Sequence, residues 1–276
     1  MITQYPSVSA LAADYRRHMP IDNRYLNTSL AWFGGETVND SLRFAEQGDT
    51  SLVAEAETLL ADLELSIETP RQQWSRAPAG AFASVPDVLA GLPTPMRRLT
   101  AAPDDHSPIT ILSCLTISAG ITAKHIRQRG TVILALTLAL SRIRPINLST
   151  LTITDGPLDG TGENVITVNI DTKPMDLATA CYVLTSAGFV RRLTYGIAAV
   201  KNGFNGGWPR DYGYGRPNRD GGTYFDRLVP RLGLDPVSTL IVPAAEFGDP
   251  LIKSPLTWLK TQITRFAPDR APDREE

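Results

Sequence analysis

The chain is poor in the residues that most often carry covalent and metal chemistry: its 276 positions hold two cysteines and three histidines. Cys114 and Cys181 both sit in apolar runs, so buried free thiols are expected rather than a disulfide framework, which fits a reducing cytoplasm. His18, His106 and His125 lie far apart and show no metal-ligand spacing. Charge of either sign is nearly balanced, with a formal net charge of −2 and a pI of about 6.0. No global positive field therefore draws in nucleic acid. The longest apolar run, Val132 to Leu140, falls well short of the roughly 20 residues that span a bilayer. No basic-then-apolar leader opens the chain, so secretion is not expected. The phosphate loop G-x-x-x-x-G-K-[ST], the nucleophile elbow G-x-S-x-G and the zinc helix H-E-x-x-H are absent.

What is present is an ordinary globular composition, 42% hydrophobic and 20% charged, in a length that suits one large domain or two small ones. Residues 1–65 read as an N-terminal helical extension. Thr37 with Asp40 predicts a capping box and a helix from Val38 to Gln47, which Gly48 stops. A second helix follows over 51–63. Residues 66–106 carry Pro70, Pro78, Pro86, Pro93, Pro95 and Pro103. This density disfavours long helices and central strands, and the segment is expected to be an extended arm packed on the core. One short helix fits at Pro86 to Ala90.

From residue 107 to 266 strands alternate with helices. Strands are expected at Ile109 to Leu115, Leu148 to Thr154, Val165 to Ile170 and Thr239 to Val242, the second and third joined as a hairpin. Helices are expected from Ala123 to Arg142, from Asp176 to Ser186, onward to about Val200, and from Pro255 to Phe266. Residues 267–276 form a charged tail expected to fray. Alternating strands and helices predict a largely parallel sheet covered on both faces, a three-layer α/β sandwich.

Ligands of such sheets gather at the strand ends. Those ends offer Cys114, Thr116 and Ser118 after the first strand, Asp171 and Thr172 after the third, and Glu246 and Asp249 after the fourth. Cys114-Leu-Thr116-Ile-Ser118 resembles the D-x-S-x-S turn of the von Willebrand factor A domain. Thr172 and Asp249, or Glu246, match that family's later Thr and Asp. The resemblance covers about residues 107–265 and implies an A-domain-like, Rossmannoid fold with a Mg²⁺ site that binds a partner's carboxylate. Cys114 stands where the family has Asp, and a thiol is a poor ligand for a hard cation. The implied site is therefore degenerate, with no metal and no cofactor expected. Thr116 and Ser118 are read as capping the next helix.

The whole chain also resembles proteins encoded by tailed bacteriophages. The resemblance rests on W-F-G-G-E-T at Trp32 to Thr37, E-T-P-R-x-x-W at Glu68 to Trp74, P-x-P-M-R-R at Pro93 to Arg98, and the run from Asp176 to Ser186. It implies a setting, the host cytoplasm, rather than an activity. A second candidate region is the Gly-rich stretch 201–227. Phe204, Trp208, Tyr212 and Tyr214 offer stacking faces there, and Arg210, Arg216 and Arg219 offer phosphate contacts. Arg97, Arg98, Arg191 and Arg192 are read as a solvated basic face.

The sequence thus points to a non-enzymatic, phage-encoded adaptor or scaffold that binds another protein at its strand ends. A single-stranded nucleic-acid binder using 201–227 and a divergent metal-dependent hydrolase are the alternatives. Oligomeric state is left open.

Overall fold

The computed structural model describes residues 1–18, 30–62, 72–101, 107–117, 120–155, 163–201, 222–246 and 248–266. It opens with a strand, β1 (Ile2–Tyr5), where the sequence predicted only helix. Four residues are too few for periodicity to separate strand from loop. Helix α1 (Val8–His18) buries Val8, Leu11, Ala12 and Tyr15 on one stripe. A 3-10 turn, Leu30–Phe33, precedes α2 (Val38–Gln47). The predicted capping box is present: the Thr37 hydroxyl accepts from the Asp40 amide at 3.1 Å, and the Asp40 carboxylate accepts from the Thr37 amide at 3.1 Å. Helix α3 (Val53–Asp62) buries Ala56 and Leu60.

The chain divides into two compact units, Met1–Leu65 with Ser107–Phe266, and Ser66–His106 with Ala267–Glu276. In the second unit the described residues form a small antiparallel sheet rather than an extended arm. Strands β2 (Gln72–Ala77) and β3 (Phe82–Ala83) flank β4 (Met96–Ala101), with helix α4 (Val85–Leu89) between β3 and β4. Proline permits this because the strands fall between prolines. Pro93 and Pro95 precede the central strand and Pro103 follows it, so no ladder amide of β4 is lost.

The first unit continues with β5 (Ile109–Cys114), α5 (Ala123–Ser141), β6 (Ile146–Asp155), β7 (Glu163–Ile170) and α6 (Leu177–Thr185). A π-helical turn, Phe189–Thr194, runs into α7 (Tyr195–Lys201). Helix α8 (Gly222–Arg231), β8 (Thr239–Val242), α9 (Pro250–Lys253) and α10 (Pro255–Phe266) complete it. The sheet order is β1-β7-β6-β5-β8. β6 and β8 run parallel to β5, β7 is antiparallel to β6, and β1 is parallel to β7. The result is a mixed α/β fold on a mostly parallel sheet.

Both faces of the sheet are covered, which is why β5 is buried along its whole length. One face carries Leu112, Cys114, Leu151 and Val165, and Tyr224, Phe225 and Leu228 of α8 pack on it. The alternate row, Ile109, Ile111, Leu148, Ile166 and Val168, is as deeply buried. Helices α1, α5 and α7 lie against these strands. Among the described residues no helix is long and apolar enough to cross a membrane.

Candidate functional site

Counting β5, β6, β7 and β8 as first to fourth, the spatial order is 3-2-1-4. The order therefore reverses between β5 and β8, and the carboxyl ends of parallel strands at such a switch point are where ligands of open α/β sheets settle. In this chain the described part of that place is filled by the protein itself. Ile117 and Ala245 form a parallel bridge that prolongs the β5–β8 pairing past the strand ends. Arg129, from the first turns of α5, lies beneath. Its Nε donates to Asp249 Oδ2 at 2.9 Å, and its Nη2 donates to the Pro243 carbonyl. Asp249 Oδ1 accepts from the Leu251 amide at 2.9 Å and so caps α9. Both side chains of the pair are buried. Burial works against the Arg129 charge, and Asp249 opposes that loss.

The turn after β5 is fixed from three sides. The Thr116 hydroxyl accepts from the Ile153 amide at 2.8 Å and donates to the Ile153 carbonyl at 3.3 Å. Tyr195 Oη accepts from the Ile117 amide and donates to the Ile117 carbonyl, both at 3.0 Å. Arg191 donates to the Ile121 carbonyl. Burial pushes the Cys114 thiol up, against hydrogen bonding from Thr116 and the charge of Arg129. The described groups therefore make a rigid bracket: the thiol stays protonated, and both Asp249 oxygens are committed.

Several expectations are corrected by this geometry. Cys114, Thr116 and Asp249 are buried, so a partner cannot touch them directly; Glu246 is exposed. Thr116 does not cap a helix. It is spent on the β6 backbone, and Thr122 caps α5 by accepting from the His125 amide at 3.2 Å. Asp171 and Thr172 do not join the others. Because β7 is antiparallel to β6, Ile170 pairs with Leu148, near the start of β6, and Asp171 and Thr172 emerge at the opposite end of the strands from Cys114. Ser118 lies outside the described residues. So do Phe204, Trp208, Arg210, Tyr212, Tyr214, Arg216 and Arg219. The last residues of the 201–227 stretch belong to α8, and Tyr224 and Phe225 are core.

Arg191 and Arg192 are not a solvated face either; each is 1% exposed. Every side chain from Phe189 to Thr194 is buried, so consecutive residues all point into protein. Arg191 lies 4.4 Å from the Trp32 ring centre and donates to the Trp32 carbonyl at 2.6 Å. Arg192 lies 3.6 Å from the Phe33 ring centre and donates to the Glu36 carbonyl at 2.9 Å. Aromatic faces and carbonyls are the groups that tolerate a buried guanidinium. The Glu36 carboxylate accepts from Ser41, Ser186 and Tyr182 at 2.9, 2.5 and 3.3 Å. Burial raises its pKa, and these bonds and Arg192 pull it back down. The Trp32–Thr37 segment is thus clamped by the same π-helical turn that reaches Ile121.

Arg129 was legible as a signal. It stands in register with Ile133, Leu136 and Leu140 on the inward stripe of α5, where a charge needs a buried partner. The partner, 120 residues away, was not legible.

The chain belongs to the family described as a domain of unknown function, DUF7192. The family model matches residues 1–233, from β1 to α8. No curated protein and no solved structure matches the chain. The Mg²⁺ implied by the A-domain resemblance does not fit the residues in place. Asp249 is bound to Arg129 and Leu251, Thr172 sits at the opposite end of the strands, and Cys114 offers a buried soft donor.

Proposed function

We propose that the protein is a non-enzymatic adaptor or scaffold that binds another protein on the exposed rim above the β5/β8 switch point. The proposed setting is a phage-encoded complex in the host cytoplasm. The observation that carries this reading is the Arg129–Asp249 bracket. It fills the described part of the crevice that a small ligand would use and leaves Thr122 and Glu246 exposed around it. A buried ion pair is a weak source of net stability and a good source of fixed geometry, which suits a docking platform. The strand order 3-2-1-4 with an antiparallel third strand supports the A-domain-like reading of the core.

Glu246→Arg and Lys124→Glu, the latter at an exposed position in the first turn of α5, change the rim without touching the bracket or the Thr122 cap. Each variant should keep the parent melting temperature and lose a partner that copurifies stoichiometrically with the parent from infected cells. A parent that purifies as a lone monomer, or a partner retained by both variants, overturns the proposal.

A further inference from the structure

The last strand of the central sheet comes from beyond the family match. That match ends at residue 233, and β8, α9 and α10 follow it. Without them β5 is the edge of a β1-β7-β6-β5 sheet. Arg129 belongs to the matched part, whereas the Asp249 carboxylate and the Pro243 carbonyl that hold it belong to the part beyond.

The two halves of this contact differ in character. The acceptor half is specific. β5 takes a parallel strand from Thr110↔Thr239 to Ser113↔Val242, and Ile117 takes Ala245. The Thr110 amide donates to the Ser238 carbonyl at 2.9 Å. Arg129 then selects a carboxylate past the strand end, because a buried guanidinium left without one is costly. The incoming half is a compact unit. β8 lies on β5, α9 and α10 pack on α5 and on each other, and Ile241 and Ala244 reach the α8 cluster. The connection before it, residues 232–238, is held by local bonds. The Leu232, Gly233 and Leu234 amides donate back to carbonyls of α8. The Val237 and Ser238 amides donate to the Asp235 carboxylate at 3.2 and 3.1 Å. Gly233 stands at φ +73° in open space, and Val237 is 82% exposed. Turning this connection outward leaves both halves intact, and a short hinge of this kind is where segments exchange between copies.

We infer that β5 and Arg129 form a strand-acceptor site that takes the β8–α10 segment of a second copy of this chain, the two copies exchanging segments reciprocally. The acceptor itself specifies this occupant. A second copy carries the same strand, the same Ala245 and the same carboxylate in the same register. Reciprocal exchange closes with two-fold symmetry, so each Arg129 meets the Asp249 of the other copy and no buried charge is left over. The contacts are the same in the closed and the exchanged chain, so concentration and the hinge decide between them. The inference does not depend on the rim proposed above.

The test uses the full-length chain. Light scattering on the parent should show a dimer, twice the 30.0 kDa of the chain, that grows with concentration. In an Ile117→Cys, Ala245→Cys double variant the two positions lie on neighbouring strands, about 4.8 Å apart, within disulfide reach. Oxidised during refolding at high concentration, it should run as a covalent dimer on a non-reducing gel. Thr110→Cys with Thr239→Cys reads the same contact through a nearly isosteric change if the first variant fails to fold. A parent that stays monomeric at every concentration overturns the inference. Cysteines that link only within one chain overturn it too, because the segment then closes on its own core and any parent dimer uses another surface.

Discussion

Arg129 and Asp249 show how much one buried pair decides. Removing a single partner strands a charge in the interior, which costs about 3–5 kcal/mol. Arg129→Met and Asp249→Leu should each lose that much in urea unfolding, and the double variant should recover most of it. Additive losses would show that the two groups act separately. Glu36 makes a pH prediction. Its folded pKa is raised by burial, so the fold favours the neutral acid. The contribution of this group is complete below its unfolded value of about 4.3 and is lost as pH rises through the raised folded value. Glu36→Gln lacks that titration. It should gain stability relative to the parent as pH rises above about 4.3, measured by paired denaturant titrations across the acid range. Parallel pH profiles would show that Glu36 is not desolvated. The residue scale was partly legible: the Thr37–Asp40 box is local and was read directly, whereas Arg191 and Arg192 looked like surface charge because their aromatic partners lie far away in sequence.

At the scale of elements, α5 and α6 meet through Gly130. A Cβ there would lie 2.1 Å from the Leu184 carbonyl oxygen and 2.8 Å from the Thr185 Cα. These are backbone atoms, so one helix must move. Gly130→Ala should destabilise by about 1–3 kcal/mol, as overpacked sites do, despite the better helix propensity of alanine. A stabilised variant would mean that the helices are less tightly apposed. The elements with strong local signals appear where the sequence places them: β8 spans Thr239–Val242, α2 spans Val38–Gln47 and α10 spans Pro255–Phe266. Helix α8 was missed because Gly221-Gly222 and the glycines before them read as loop, while its Tyr224, Phe225 and Leu228 find their reason only in the sheet that they cover.

For the whole molecule, β1 is the consequential surprise. It pairs with β7 from Ile2↔Val165 to Tyr5↔Val168, so residues counted as an extension are part of the central sheet. Deleting residues 1–6 should lower the melting temperature and expose β7 as a new edge, with aggregation on concentration visible by light scattering. An unchanged melting temperature would show that β1 adds nothing to the core. Metal linkage is tested on the same scale. Titration with Mg²⁺ or Mn²⁺ should give no heat and no shift in melting temperature, because Asp249 is already bound by Arg129 and Leu251. A saturable shift of several degrees would reopen the metal reading.

The sequence alone determined the class of this protein and most of its elements, because caps, periodicity and turn residues act within a few positions of one another. It also settled that Cys114 brings no carboxylate to the β5 end. Tertiary structure decided the rest. The antiparallel course of β7 placed Asp171 and Thr172 at the opposite end of the strands from Cys114, β1 joined the sheet as the parallel neighbour of β7, and the Arg129–Asp249 pair closed the described part of the switch point. The physical reason is the same in each case: which groups meet across a sheet or under a loop is set by chain crossings between residues far apart in sequence, and no local pattern records them.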